Sequence, residues 1–523
     1  MAGPAAQPDV EHVDVIVVGA GLSGIGTACR LLERCPWASF TILEARGRIG
    51  GTWDLFRYPG VRSDSDMYTL GYPFEPWRGA EPLGRGEEIL SYLRQTAERH
   101  GVTGRIRTGH RVVRASWSSD SALWTVDVRG PAGSLAMTCR FLVGCTGYYR
   151  YDHGHEPALP GVESFSGTVV HPQRWPADLD WGGRRVAVIG SGATAVTLVP
   201  ALARSAEHVT MVQRSPTWVM AVPARDPLAG LLPRWLPGRS ADRLLRVRSI
   251  AVMALLFRLS RRMPRLVSRL LRRDARRRLP AGYPVELHFN PGYQPWDQRM
   301  CFVPDGDLFD AISSGRASVV TDTVRRFTER GLLLGGGREV EADVVVTATG
   351  LDLLVMGGIE LAVDGDPVFA PERFVYRGMM LSGVPNLAME IGYTNASWTL
   401  KSDLIARHVC RLLNHMRAHG HTHCVPTMSE VDPARRPLID LTSGYVRRSA
   451  HELPSQGARR PWLTRQSPLL DALDFRFGRV DDGVIRFHRA DRADRADRAD
   501  RADRADRADR ADRADRADLP ARR

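Results

Sequence analysis

The sequence predicts an α/β chain organised around two separate strand–glycine turn–helix–strand units, with a helical insertion in the second. Three observations carry that expectation. The segment VDVIVV at 13–18 is a continuous apolar run, as a strand buried on both faces should be, and it leads into GAGLSG, the helical pattern IGTACRLLERC and the strand FTILEAR at 40–46. In the same way RRVAVI at 184–189 leads into GSGATA, VTLVPALARSA and HVTMVQR at 208–214. A chain of 523 residues is too long for one core, so two or more domains are expected. The units lie far further apart than the roughly 20–50 residues of a solenoid period, so they read as two Rossmann-like dinucleotide-binding domains.

In the first unit Gly19, Gly21 and Gly24 fit G-x-G-x-x-G between a strand and a helix. The first glycine makes the tight turn, the second admits a pyrophosphate to the backbone, and the third lets helix and strand pack closely. The helix start, including Ser23, offers unpaired N–H groups to the phosphates. Glu44 ends the next strand, where a carboxylate can accept ribose hydroxyls. The second turn, Gly190-Ser191-Gly192-Ala193-Thr194-Ala195, carries alanine at the third glycine position. Its second strand ends in Gln213-Arg214 with no acid, and an arginine there pairs with a 2′-phosphate that a carboxylate would repel. NADPH is therefore expected over NADH. Two further strands, RFLVGCTGYY at 140–149 and ADVVVTATGLD at 342–352, end in T-G turns that mark crossings between the domains. The expected division is 1–150 for the first part of one domain, 151–340 for the second domain, 341–488 for the return to the first, and 489–523 for a tail.

Two dinucleotides in one chain imply electron transfer between them, and the usual pair is FAD with NAD(P)H. Disulfide reductases, NADPH oxidases and oxygenases all fit that description. The seven cysteines are scattered without a C-x-x-C pair, which removes the first class, excludes a disulfide framework or zinc ribbon, and suggests a reducing cytosol. There is no signal-peptide pattern, and no apolar run approaches the roughly 20 residues that span a bilayer.

Charge is uneven. Residues 225–280 hold 16 Arg and 3 Asp, a surplus equal to the net +13 of the whole chain. Apolar residues at helical spacing lie among those arginines, so this stretch is expected to form two or three amphipathic helices with a solvated cationic face; attachment to an anionic membrane and nucleic-acid binding are the alternatives. From Arg489 to Asp518 the chain is Arg-Ala-Asp ten times over, with nothing larger than alanine to anchor it to a core, and a solvated tail is expected. His415, His419, His421 and His423 with Cys424 look like a metal cluster, but without a second ligand pair they are expected to be a surface turn, and no metal is expected.

Three longer patterns narrow the class. Phe165, Gly167, His171, Trp175 and Pro176 form F-x-G-x-x-x-H-x-x-x-W-P; residues 50–64 read GGTWDLFRYPGVRSD; and Asp343 precedes Ala348-Thr349-Gly350. Together they resemble the Baeyer–Villiger monooxygenases over about residues 12–488, the heteroatom-oxygenating flavin monooxygenases lacking the Trp-Pro ending. The resemblance implies that NADPH reduces FAD, that O2 adds to the reduced flavin, and that the resulting peroxide attacks a ketone to give an ester or lactone, or oxidises sulfur in thioamides or sulfides. It places the catalytic cation on Arg299, which cannot release its proton, and a supporting carboxylate on Asp64. Thr52, Trp53, Asp54, Leu55, Arg62 and Ser63 would lie along the cofactor, and Val112 would touch the adenine through its backbone. His171, on the interdomain linker, would act in domain movement or NADP positioning. Many members carry Lys before the catalytic Arg; here it is Gln298, which leaves more of the phosphate selection to Arg214. The alternatives are a monooxygenase acting only on N and S, and a membrane- or nucleic acid-binding protein with a vestigial flavin site. The expected partners are a small ketone or sulfur compound and O2, with no nucleic acid, and the expected location is the cytoplasm, with peripheral contact at the inner face of the cell membrane through 225–280 as the alternative.

Overall fold

The computed structural model describes residues 10–79, 81–428 and 434–489, so the Arg-Ala-Asp tail lies outside the described residues beyond Arg489. The strand Glu11–Val18 is parallel to Phe40–Glu44 on one side and to Gly133–Gly144 on the other. Both flanking strands are needed to bury a strand whose last four residues are all apolar and buried. The sheet continues through the antiparallel strands Leu123–Gly130 and Arg111–Ser118. The C-terminal half then enters it: Glu360–Val363 pairs with Arg111–Ser118, and Leu387–Met389 pairs with the end of Gly133–Gly144. The helices Leu22–Arg34 and Trp398–His419 share one core through Ile25, Leu31, Ile405, Val409 and Leu412.

The second sheet has five parallel strands in the order Ala317–Thr321, His208–Gln213, Arg185–Ile189, Val344–Thr347, Thr168–Val170. The expected α/β class with two Rossmann-like sheets and a helical insertion is met. Because Val344–Thr347 sits inside this second sheet, the chain returns to the first one beyond Thr347, a few residues past the expected boundary at 340. The insertion consists of the helices Pro227–Trp235, Gly238–Arg262 and Pro264–Arg278. Pro264 occupies the first position of the last helix, where its missing N–H costs nothing, and so splits what would otherwise be one long rod.

The histidine group differs from its expectation. His415 and His419 end the helix Trp398–His419, Gly420 closes it at φ 66°, and His421, His423 and Cys424 lie on the strand His421–Pro426, paired with Ile485–Arg489. The turn is one glycine long, and the imidazoles stack on one another and on Phe487. Among the described residues no group of His, Cys, Asp and Glu is arranged to hold a metal ion.

Glu390, just past Leu387–Met389, links the two halves of the first sheet. It is buried and accepts hydrogen bonds from Thr27 on the first helix and Ser402 on Trp398–His419. Burial raises its carboxyl to about 7 from 4.5, against the opposing pull of those hydroxyls. Between these values the folded chain keeps a proton that the unfolded chain has lost. The contribution of Glu390 to stability is therefore full below about pH 4.5 and declines as pH rises toward about 7, on the order of 1 kcal/mol per pH unit. Denaturant midpoints across that window should fall more steeply for the native chain than for Glu390→Gln. A second outcome concerns the first glycine turn: a Cβ on Gly24 would lie 1.8 Å from the Gly19 carbonyl oxygen, whereas one on Gly104 meets nothing within 4 Å. Gly24→Ala should cost about 1–3 kcal/mol or more in urea unfolding, and Gly104→Ala close to nothing.

Candidate active site

The first turn has the geometry that a dinucleotide needs. Gly19 adopts φ +105°, and a Cβ there would meet the Cys145 carbonyl oxygen at 2.6 Å. The helix that follows begins at Leu22, and its first N–H groups have no intrahelical partner. Glu44 is buried beside the turn, one oxygen accepting from Ala20 N at 2.7 Å and the other from Arg46 N at 2.8 Å. Burial raises its carboxyl above the ordinary value even so. Ser23 accepts a hydrogen bond from Trp398 Nε1 at 2.8 Å, a contact spanning 375 residues of sequence. Val112 lies where the strand Arg111–Ser118 slips register against its neighbour, between Val112 and Arg114.

Residues 50–64 weld the units together. Gly51, at φ +55°, packs against Gly21, and Thr52 Oγ1 lies 3.4 Å from Tyr151 Oη. Trp53 packs half-buried on the first core. Asp54 and Leu55 are both engaged by the protein's own groups. The Asp54 carboxylate is buried under Arg46 (2.6 Å), Arg57 (2.8 Å), Arg48 and Arg94; burial pushes its carboxyl up, but the arginines outweigh it and hold it below the ordinary value. Leu55 packs on the core of the second sheet. Tyr58 packs in the core of the second sheet, Gly60 presses on Thr197 and Ala201, and Arg62 pairs with Asp307 at 2.6 Å. Ser63 donates to the Ser65 carbonyl and fixes the next turn.

That turn presents Asp64 to Arg299. Arg299 Nε lies 2.6 Å from Asp64 Oδ2 and its Nη2 3.0 Å from Oδ1, a bidentate fork, and the same Nη2 donates to Ser65 Oγ at 3.0 Å. Burial opposes the charge, but the field of Asp64 outweighs it and raises the guanidinium above its ordinary value. Two cavities share Arg299 as a wall. One is narrow and lined by Tyr148, Trp398, Tyr445, Thr394 and Gln466, with Tyr148 and Trp398 stacked at 5.0 Å. The other, of about 260 Å³, is mainly apolar: Ile250, Met253 and Phe257 from the insertion, with Phe302, Leu400 and Leu470. The arrangement sets a permanently charged, fork-held cation between an aromatic slot and an apolar chamber. Tyr148, Trp398 and Tyr445 come from three distant segments, so no spacing rule in the sequence brings them together.

The second turn is more open. Gly190 adopts φ +142° against Ala348, whereas a Cβ on Gly192 would meet nothing within 4 Å, so the protein's own packing gives no reason for that glycine and leaves room for a ligand's phosphates. Ser191 Oγ donates to the Ser215 carbonyl, Ala193 is exposed, and Ala195 is buried in the second core. Gln213 is turned inward, donating to His288 O and Thr321 Oγ1 at 2.9 Å each, and is not offered to a ligand at the turn. Arg214 is exposed at the strand end. Arg448, which sequence reasoning did not single out, lies beside Gly350 and within the electrostatic reach of Arg214. Burial lowers its guanidinium first, Asp352 at 3.8 Å opposes that shift, and Arg214 adds to it. Two arginines against one carboxylate leave net positive charge here, which favours an anionic ligand.

The stretch Phe165–Pro176 fastens the crossing. Phe165 packs on Phe327, and a Cβ on Gly167 would strike the Asp343 carbonyl oxygen at 2.3 Å. His171 is buried against Gly154, its Nδ1 accepting from Gln173 N at 3.2 Å, and burial lowers its imidazole below the ordinary value. Gln173 holds the carbonyls of Arg150 and Tyr151, and Trp175 packs edge-on against Trp181, with Pro176 following.

Residues 83–355 match the family model described as flavin-binding monooxygenase-like, and residues 17–82 match a NAD(P)-binding Rossmann-like domain. The chain is 49% identical over 478 residues, 91% of its length and 98% of the relative's, to the FAD-containing monooxygenase EthA of Mycobacterium tuberculosis. It is 44% identical over 482 residues (92% and 97%) to a probable FAD-binding monooxygenase, AlmA, of Acinetobacter baylyi. An oxidised steroid monooxygenase bound to NADP has the same fold, with a TM-score of 0.73 at 22% identity over 92% of this chain and all of that one. An open cyclohexanone monooxygenase superposes with a TM-score of 0.67 at 22% identity, over 80% and 90%. With both glycine turns in place and these matches running through the welding segment and Arg299, the chain belongs to the flavin-binding monooxygenase-like family.

Proposed function

We propose that this protein is an FAD- and NADPH-dependent monooxygenase that inserts one oxygen atom of O2 into ketones, giving esters or lactones, and that also oxygenates sulfur in thioamides and sulfides. The observation that carries the reading is the Asp64–Arg299 fork on the wall between the aromatic slot and the apolar chamber. FAD is held by the unit formed from 1–150 and the chain beyond Thr347, and NADPH by the unit between them, which includes Val344–Thr347. The FAD-containing relatives support the first assignment, and the open Gly192 turn with Arg214 and Arg448 supports the second.

In this reading Gly19, Gly21 and Gly24 admit the FAD diphosphate to the first helix N-terminus, and Glu44 uses its remaining lone pairs for ribose hydroxyls. Bound FAD, once reduced by NADPH, supplies the activation of O2. Arg299 supplies a fixed positive charge opposite the negative charge that builds on oxygen during transfer, and it needs no reorganisation because Asp64 and Ser65 already hold it. Tyr148, Trp398 and Tyr445 exclude water. His171 positions the crossing and takes no part in proton transfer. Seven free, buried cysteines support a reducing, cytoplasmic setting. Among the described residues no helix is long and apolar enough to cross a membrane, and the 225–280 insertion gives the protein a peripheral membrane contact.

The purified protein should be yellow, with NADPH consumption coupled to ester formation by mass spectrometry. Arg299→Ala should keep flavin reduction by NADPH while ester formation falls about 10²–10³-fold, as for loss of a charge-stabilising donor. An unchanged rate of ester formation would overturn the assigned role. Arg214→Ala and Arg448→Ala should each raise KM for NADPH by about tenfold, the size of a lost charged contact, and leave KM for NADH nearly unchanged.

A further inference from the structure

The helix Gly238–Arg262 has two apolar faces, and only one is covered. On the inner side Ile250, Met253 and Phe257 line the chamber of about 260 Å³ that Arg299 closes, and Arg246 anchors this face by donating to the Tyr68 and Gly71 carbonyls. On the outer side Leu244, Val247, Val252, Leu255 and Leu259 form a second row, with Val247 62% and Leu255 58% exposed. The next helix, Pro264–Arg278, also exposes Leu266 and Leu270, and Trp235, which ends the helix before Gly238–Arg262, is 79% exposed. Arg262, Arg265, Arg269 and Arg273 flank this row and form no ion pair among the described residues. The opposite wall of the chamber repeats the pattern. Leu470 lines it, while Leu469, Leu473 and Phe477 on the same helix, Pro468–Phe477, are exposed.

We propose that this outer face docks on an anionic phospholipid surface and that the chamber receives its substrate from the bilayer, so that the substrate class is apolar, membrane-partitioned ketones and sulfides. The partner follows from charge complementarity together with the exposed leucines. Unpaired arginines beside an apolar row suit the boundary between phosphate headgroups and acyl chains, with guanidinium groups on the phosphates and leucine side chains below them. Neither a soluble acidic protein nor nucleic acid would cover an apolar row of this length. The route follows from a single helix forming both the docking face and the chamber wall: a solute leaving the lipid meets Ile250, Met253 and Phe257 before it meets Arg299. This substrate class rests on the oxygenation proposed above, whereas docking itself does not.

The full-length flavin-loaded protein is sedimented with vesicles of phosphatidylcholine alone and of phosphatidylcholine mixed with phosphatidylglycerol. The native chain should sediment with the mixed vesicles and remain in the supernatant with neutral ones. The triple variant Val252→Glu, Leu255→Glu, Leu259→Glu removes three exposed side chains that touch nothing in the chamber. It should lose at least about tenfold in vesicle partitioning while keeping its flavin spectrum and its turnover of a water-soluble ketone. Turnover of a ketone preloaded in the vesicles should be faster for the native chain than for the variant. A native chain that stays in the supernatant with anionic vesicles overturns docking, and so does a variant that binds them equally well. Self-association that the variant abolishes, without vesicle binding, assigns the face to a second copy of the chain and likewise overturns it. Vesicle binding with equal turnover of the preloaded ketone by both proteins overturns the route. Vesicle binding without any ketone oxidation leaves docking standing and refutes the oxygenation reading instead.

Discussion

Arg299 keeps its place because Asp64 holds it through both oxygens, and Asp64 keeps its place because the segment behind it is fastened at both ends. Gly51 presses on the first glycine turn, while Tyr58 packs in the second core and Gly60 and Arg62 contact two helices of the second unit. One short segment therefore sets the distance between two nucleotide turns and aims a carboxylate at the cation between them. A guanidinium in an apolar chamber without such a partner would face a large desolvation penalty, and its position would be free to drift. The fork meets both problems at once, and both cavities inherit their shape from it.

The buried polar groups of the first unit follow a similar logic. Glu390 accepts from hydroxyls on two helices that are far apart in the chain, and Ser23 accepts from Trp398, so the C-terminal half is tied to the first turn by hydrogen bonds as well as by leucine packing. Trp398 then stacks on Tyr148 above the narrow cavity. A contact made for stability at one end of the indole thus fixes a wall of the reaction space at the other. Asp54 shows the contrary case. It stands in the motif that frames the site, yet its carboxylate is wholly occupied by arginines.

The basic insertion is where composition and position meet. Its charge surplus accounts for the charge of the entire chain, and its middle helix is also a wall of the chamber. Apolar spacing along that helix was plain in the sequence, but periodicity cannot distinguish a face turned to the core from one left bare when both are apolar.

The resemblance to a known family implied the pairing of Asp64 with Arg299, and the sequence alone determined the class, the two sheets and the glycine turns. Those features rest on local rules: tight turns demand glycine, buried strands read as apolar runs, and a long ordered motif survives as a string. Tertiary structure decided what the string leaves open. It turned Gln213 and Asp54 inward, because their partners His288, Thr321 and the four arginines come from elsewhere in the chain. It brought Arg448 beside Gly350, gathered Tyr148, Trp398 and Tyr445 around Arg299, and set Val344–Thr347 in the second sheet. Each of these depends on contacts between segments far apart in the chain, and such contacts leave no periodic trace in the order of residues.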